Sequence, residues 1–336
     1  MIRGLIAFAA LCWTPFAFAQ DAVSDFYRGK QIFLRIGSAP GSGYDLAGRI
    51  VAPYLARYIP GSPSIVVQSV PGAGSLILAN QLYNTAPKDG TVIGLVSNGM
   101  PTAPQLTPEQ ARFDATKFIW VGSNAPETQI IMLSDQAPAK TLDDLFKLET
   151  IVGATAPGVA IYDVPAVLNA LSGTKFKIVS GYEGTAQIDV ATERGELHGQ
   201  AALGWISAKT RNMADIKSGK LRLLAQFGAK PHPDLPNVPL FPAPANEVDR
   251  QAFAMMIARQ DYGRPLVLPP GVPADRVAAL RSAFMQAMKN PDLLKEAERA
   301  GLEINPVSGE ELDALTRQIV QTSPPAVAKL RAILSQ

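Results

Sequence analysis

Ile36-Gly37-Ser38-Ala39-Pro40-Gly41-Ser42-Gly43-Tyr44-Asp45 joins an apolar run to a helical pattern, and the rest of the chain reads outward from that junction. Gln31 to Ile36 reads as a strand, while Leu46, Ile50, Val51, Leu55 and Tyr58 recur on one helix face. A small-residue loop that opens a helix exposes backbone N–H groups with no intrahelical acceptor, and the positive end of the helix dipole lies beside them. The junction is either an anion cradle, for a phosphate or a carboxylate, or a tight turn. Pro53 falls in the middle of the helix, where its missing N–H and ring clash cost about 3 kcal/mol, so a kink or an early end is expected.

The same grammar then repeats. Ser64 to Val70 is a strand, Pro71-Gly72-Ala73-Gly74-Ser75 a loop and Leu76 to Tyr83 a helix; Thr91 to Ser97 and Phe118 to Ser123 are further strands, joined through the Pro-rich Met100 to Pro108. A second series begins at Ile130 to Leu133. It continues through a helix start capped by Thr141, a strand at Ile151 to Thr155, a helix opened by Ala156-Pro157-Gly158, and a strand at Lys175 to Ser180. Gly181-Tyr182-Glu183-Gly184 leads into a helix at Thr185 to Glu193, followed by strands at Leu197 to Leu203, ending at Gly204-Trp205, and at Leu221 to Phe227. Pro231 to Pro244 must be an extended loop, and the helices Val248 to Ile257, Pro273 to Met288 and the one capped by Ser308-Gly309-Glu310-Glu311 complete the chain. Alternating strands and helices predict an α/β fold with mainly parallel sheet.

Composition narrows the function. Arg3, the apolar Leu5 to Trp13 and the small-residue Ala17-Phe18-Ala19 form a secretory signal, expected to be cut after Ala19, which places the mature protein in the periplasm. The single cysteine, Cys12, lies inside that signal, so the mature chain relies on no disulfide, thiolate metal ligand or cysteine nucleophile. His198 and His232 sit in dissimilar contexts, no carboxylate cluster has metal spacing, and neither a metal nor a cofactor is expected. A formal charge of +2 without a basic run argues against nucleic acid and against polybasic membrane attachment. A mature chain of about 317 residues exceeds one ordinary core and points to two domains.

Enzymatic readings fare worse than binding. Gly41-Ser42-Gly43 starts a dinucleotide pattern, but Leu46 stands where the third glycine belongs and the second strand ends at Val66-Val67-Gln68-Ser69 without a ribose-binding acid. Ser42, Ser75 and Ser97 lie near strand ends, yet none has the Gly-x-Ser-x-Gly elbow, and two histidines are a poor supply for a triad. Glycosidase chemistry needs only two carboxylates, which any chain provides. An exported hydrolase acting on an ester or glycoside is therefore the alternative to a binding protein.

The ordered set of Ala39-Pro40-Gly41-Ser42-Gly43-Tyr44-Asp45 with Arg49, Val70 to Ser75, and Ala86-Pro87-Lys88-Asp89-Gly90-Thr91 resembles the extracytoplasmic "Bug" receptors of tripartite tricarboxylate transporters. The resemblance continues through Gly181 to Gly184, Ile216 to Arg222, Pro236-Asn237-Val238-Pro239 and Pro269-Pro270-Gly271-Val272-Pro273, in order over nearly the whole mature chain. It implies a two-lobed, type II periplasmic-binding-protein-like (Venus-flytrap) fold with a ligand cleft. After the signal at 1–19, the first lobe would comprise 20–124 and 228–336, and the second 125–227. It also implies a monomer that catalyses nothing, captures a small organic acid and delivers it to integral membrane subunits. Dicarboxylic and aromatic acids are candidates.

By that resemblance the ligand is gripped through loop amides, hydroxyls and water. The first lobe would supply Ser38, Gly41, Ser42, Gly43, Tyr44, Ala73, Gly74, Ser75, Ser97 and Asn98; the second would supply Ala156, Gly158, Tyr162, Gly181, Tyr182, Thr185 and Trp205. Asp45 matches the family's acidic position, but a carboxylate repels an anionic ligand. On dipole grounds it stabilises the first helical turn, and it joins the site only through water or a ligand amine. Ser42 replaces one of two glycines that the family often carries there. The stretch Ala258-Arg259-Gln260-Asp261-Tyr262-Gly263-Arg264-Pro265 departs from the family's aromatic pattern. Arg264 either forks onto a second carboxylate or pairs with Asp261 or another surface acid.

Overall fold

A computed structural model describes residues 16–228 and 230–335. The signal expected at 1–19 lies outside the described residues up to position 15, and its last residues begin helix α1 (Phe16–Tyr27). Strand β1 (Gln31–Ile36) leads into α2 (Gly43–Tyr58), β2 (Ser64–Ser69) into α3 (Leu76–Asn84), and β3 (Val92–Leu95) into the short α4 (Ala103–Leu106) before β4 (Ile119–Ser123). The chain then builds β5 (Gln129–Ser134), β6 (Thr150–Gly153), α5 (Ala160–Ser172), β7 (Phe176–Val179), α6 (Thr185–Glu193), β8 (Gly199–Gly204), α7 (Trp205–Arg211), α8 (Met213–Ser218) and β9 (Leu221–Gln226). After α9 (Glu247–Ala258) come β10 (Pro265–Leu268), α10 (Ala274–Ala287), α11 (Pro291–Arg299), β11 (Val307–Ser308), α12 (Gly309–Val320) and α13 (Pro324–Leu334). Where a helix was expected behind Thr141, only a 3-10 turn forms at Asp143–Phe146.

Two sheets result, ordered β11-β4-β10-β3-β1-β2 and β7-β6-β8-β5-β9. Both are mixed rather than mainly parallel. β1 runs parallel to β2 and β3, and β6 parallel to β7 and β8, but β10 is antiparallel to β3 and β4, and β5 is antiparallel to β8 and β9. The cause lies in the connections between the sheets. β4 ends at Ser123 and β5 starts at Gln129, so the chain enters the second sheet at the edge where β8 ends; β10 re-enters the first sheet with Pro265 opposite Ser123. A strand that enters at the edge its neighbours leave from must run against them. β3 and β10 are buried along their whole length, as central strands covered on both faces require.

α2 runs on through Pro53 to Tyr58, so the early end expected there does not occur. Pro53 is exposed while Ile50, Val51, Tyr54 and Leu55 are buried, so the carbonyl that the proline leaves unbonded faces water and the apolar face holds the helix down. Behind β9, the proline-rich loop stays on the second sheet. Gln226 donates to the carbonyls of Leu235 and Val238 and accepts from the His232 amide, and Phe241 stacks on Phe227 at 5.5 Å. α9 packs on α5 as well as on α12 and α13, and the largest apolar cluster joins Trp120 and Leu78 of the first layer to Ile131 and Val152 of the second through Met255, Met256 and Tyr262.

Candidate functional site

The loops that follow β1, β2 and β3 are tied together by one side chain. Ser75 is buried; its hydroxyl donates to the Gly37 carbonyl at 3.0 Å and accepts from the Ser97 amide at 3.0 Å. Gly37 has no side chain because a Cβ there would lie 2.4 Å from the Ser75 Oγ. The segment Gly72, Ala73, Gly74, Ser75 has φ of 138°, 44°, 59° and 80°, a left-handed run in which Ala73 and Ser75 are strained. The Ser75 hydroxyl bonds hold it in place.

In the first loop, the Ser38 and Ser42 hydroxyls share a hydrogen bond of 2.7 Å, and Ser42 caps α2 by accepting from the Asp45 amide. Asp45 is buried. It accepts from the Gly41 amide at 2.9 Å, from Arg49 at 2.9 Å and from the Ser69 hydroxyl at 3.3 Å. The Arg49 bond, against the cost of burial, holds its carboxyl below the usual range. The Gly41 amide, expected to face the ligand, is therefore already bonded to Asp45. Among the described residues, the Gly43 and Tyr44 amides at the start of α2 have no acceptor. The Tyr44 hydroxyl donates to the Gly263 carbonyl at 3.1 Å and accepts from the Asn98 amide at 3.3 Å, and burial raises its pKa.

The second sheet repeats this arrangement. The Gly158 amide donates to Asp163 of α5 at 2.8 Å, so it too is taken, and Asp163 accepts from Arg259 at 3.1 Å. Arg259 also donates to the Gly158 carbonyl, and it lies so close to Gly99 that a Cβ there would be 2.4 Å from its Nη2. It therefore links the loop after β3 to the loop before α5. Ala156 is exposed, and Tyr162 and Tyr182 each pack against the small apolar cluster that contains Ala154 and Ile188. Gly181 bonds to the Thr155 carbonyl, and the Thr185 hydroxyl at the start of α6 accepts from Arg211. The missing side chains of Gly41, Gly74, Gly158, Gly181 and Gly184 face open space.

Trp205 does not reach the loops expected to hold ligand. It is buried against Ile130, Met132 and Leu203, with its indole N–H on Asp234 at 3.1 Å, because the first turn of α7 points it into the core rather than across the loops. Arg264 does not pair with Asp261. Its Nη2 donates to Glu127 at 3.1 Å, its amide donates to Ser123, and its guanidinium lies over the Tyr44 ring at 5.7 Å. Burial works against its charge, but Glu127 and Tyr44 more than offset this, and its pKa rises. Asp261 instead lines a cavity of about 950 Å³ bounded by Pro126, Gly228, Thr210 and Asn305, where burial raises its pKa. None of the sequence-predicted residues lines that cavity. Sequence reasoning missed Glu127, Asp163, Arg259 and Arg211; a signal existed only for Asp163, which follows Gly158 much as Asp45 follows Gly41.

Among the described residues, no group of three or more His, Cys, Asp or Glu could hold a metal, and no helix is long and apolar enough to cross a membrane. Two α/β layers joined by crossing connectors, with facing loops that offer amides and hydroxyls, define a two-lobed solute-binding protein. The chain belongs to the tripartite tricarboxylate transporter family receptors, whose family model matches residues 49–331. That family consists of receptors, not hydrolases. A UPF0065 protein of Cupriavidus necator is 24% identical over 98% of this chain and 96% of its own. A TctC solute-binding protein from Polaromonas superposes with a TM-score of 0.67 at 18% identity, covering 92% of this chain and 99% of that one. MatC from Rhodopseudomonas palustris with bound malate gives 0.62 at 17% identity, covering 91% and 99%.

Proposed function

We propose that this chain is a periplasmic receptor that closes two lobes on a small organic carboxylate and presents it to the membrane subunits of a tripartite transporter. The carrying observation is the set of unbonded amides at the starts of α2 and α6, beside loop glycines that open onto empty space. A carboxylate lying across such helix starts accepts several charge-assisted hydrogen bonds, each contributing roughly 1.5–3 kcal/mol. In this reading, residues 1–19 are removed on export and the receptor acts as a monomer. The first lobe comprises 20–124 and 228–336 and the second 125–227, with the proline-rich stretch of the first packed back on the second sheet and α9 in contact with helices of both. MatC holding malate on the same fold supports a carboxylate as ligand.

The test is a thermal-shift and calorimetric screen of the mature protein against mono-, di- and tricarboxylates and aromatic acids. A ligand of the native state raises the melting temperature by linkage, by about 2.7 kcal/mol of added stability at a hundred times Kd. If no organic acid shifts the transition, the receptor is for something other than carboxylates.

A further inference from the structure

Arg264 is only 8% exposed, yet among the described residues only Nη2 of its three guanidinium nitrogens has a partner; Nε and Nη1 are buried without one. A buried guanidinium satisfied at one nitrogen is costly, and the cost is retained where a ligand uses the charge. Nε and Nη1 are closed off from solvent, so it is Nη2, already on Glu127, that can reach a ligand, and its placement supports that use. Nη2 is the single group near the open face of Gly43, lying 3.7 Å from where a Cβ would sit, and Gly43 begins the helix whose first two amides lack acceptors. A carboxylate over Gly43 therefore meets the α2 amides on one side and Nη2 on the other.

The second half of the pair decides which carboxylates fit. Glu127 reaches Nη2 through Oε1, and its Oε2 accepts from no described residue and is not among the buried atoms. Gly204 clears the way for it, since a Cβ there would stand 2.5 Å from Oε1. An anionic carboxylate offers only acceptors, so an oxygen next to a bound acid rewards a hydrogen-bond donor on the ligand and repels a second carboxylate brought to the same point.

We propose that the Arg264 and Glu127 pair, with the start of α2, forms a subsite for an acid that carries a donor on the carbon next to its carboxylate, a 2-hydroxy or 2-amino acid. The carboxylate takes the α2 amides and Nη2, and the hydroxyl or ammonium donates to Glu127 Oε2. This rests on the carboxylate-receptor reading and adds the selection that Glu127 imposes.

The experiment is calorimetry on the unaltered mature protein with matched sets of equal chain length: succinate, malate and aspartate, then propionate, lactate and alanine. Donor-bearing acids should bind at least about tenfold more tightly than the plain member of the same set, the size of one hydrogen bond to a charged group. In Glu127→Met, which keeps the side-chain length without an oxygen acceptor and is checked for folding by circular dichroism, that ratio should fall toward one. Plain acids binding as tightly as substituted ones, or a ratio that survives Glu127→Met, overturns the subsite and leaves the receptor reading standing. Silence from every acid overturns both.

Discussion

Ser75→Ala tests whether one hydroxyl holds three loops. It removes the bond to the Gly37 carbonyl and the bond from the Ser97 amide, both 3.0 Å, at a position only 4% exposed. Two such bonds contribute about 1 kcal/mol each, and leaving a buried carbonyl unpaired adds about 1 kcal/mol more, so the expected loss is roughly 2–4 kcal/mol. The φ of 80° gives a second reading from the same position. Serine and alanine both bear the left-handed strain, whereas glycine relieves about 1–2 kcal/mol of it and returns part through unfolded-state entropy, so Ser75→Gly should be less destabilised than Ser75→Ala by about 0.5–1 kcal/mol. Urea unfolding of the mature protein followed by far-UV circular dichroism measures both, and an unchanged m-value keeps the comparison on the native state. Ser75→Ala within about 0.5 kcal/mol of the parent, or Ser75→Gly below Ser75→Ala, would refute the account of this loop.

Two further outcomes follow from other contacts. Asp45→Asn should cost about 1–2 kcal/mol at pH 7, discounted because Arg49 is half exposed. Since the folded carboxyl sits below its unfolded value of 3.8, its stabilisation is complete above that value and is lost as pH falls through the folded one. The gap between parent and variant must therefore close in acid, and a gap independent of pH contradicts the assignment. Gly263→Ala places a Cβ 1.7 Å from the Ala125 carbonyl at a φ of 51°, where one connector crosses the other. It should cost about 3 kcal/mol or more; a thermal midpoint lowered by less than about 2 °C would mean the connectors part easily.

What was legible in the sequence was punctuation. Gly, Pro and Ser at 37–43 and 71–75 record local backbone demands, so those loops could be placed from neighbouring residues alone. Strand direction in β5 and β10 could not, because it depends on the edge at which the chain enters a sheet, and no local pattern encodes that. The charged partners of the site were hidden for the same reason. Arg264 meets Glu127 across 137 positions and Arg259 meets Asp163 across 96, so each pairing follows from how the connectors cross. Trp205 misled because adjacency to a loop says nothing about which way the first helical turn aims an indole; α7 aims it at Leu203 and Asp234.

The two halves of the site share a device that revises how the opening loop works. On one side Gly41 donates to Asp45, which Arg49 holds; on the other Gly158 donates to Asp163, which Arg259 holds. In each case the loop glycine amide is spent on an acid of the following helix, so it anchors the loop and does not face a ligand. The first of these anchors sits beside the amides left without an acceptor at Gly43 and Tyr44, whereas those at Thr185 and Ala186 belong to a separate helix, α6. The pairs differ in exposure. Arg49 lies half in water, where such a pair contributes little, whereas Arg259 and Asp163 are both buried, so removing either partner alone leaves an uncompensated charge at a cost of about 3–5 kcal/mol. The Asp45 anchor can therefore loosen at modest cost while the Asp163 anchor, tied through Arg259 to Gly99, cannot. Amide exchange at Gly41 should therefore be faster than at Gly158, and equal protection of the two would contradict the asymmetry.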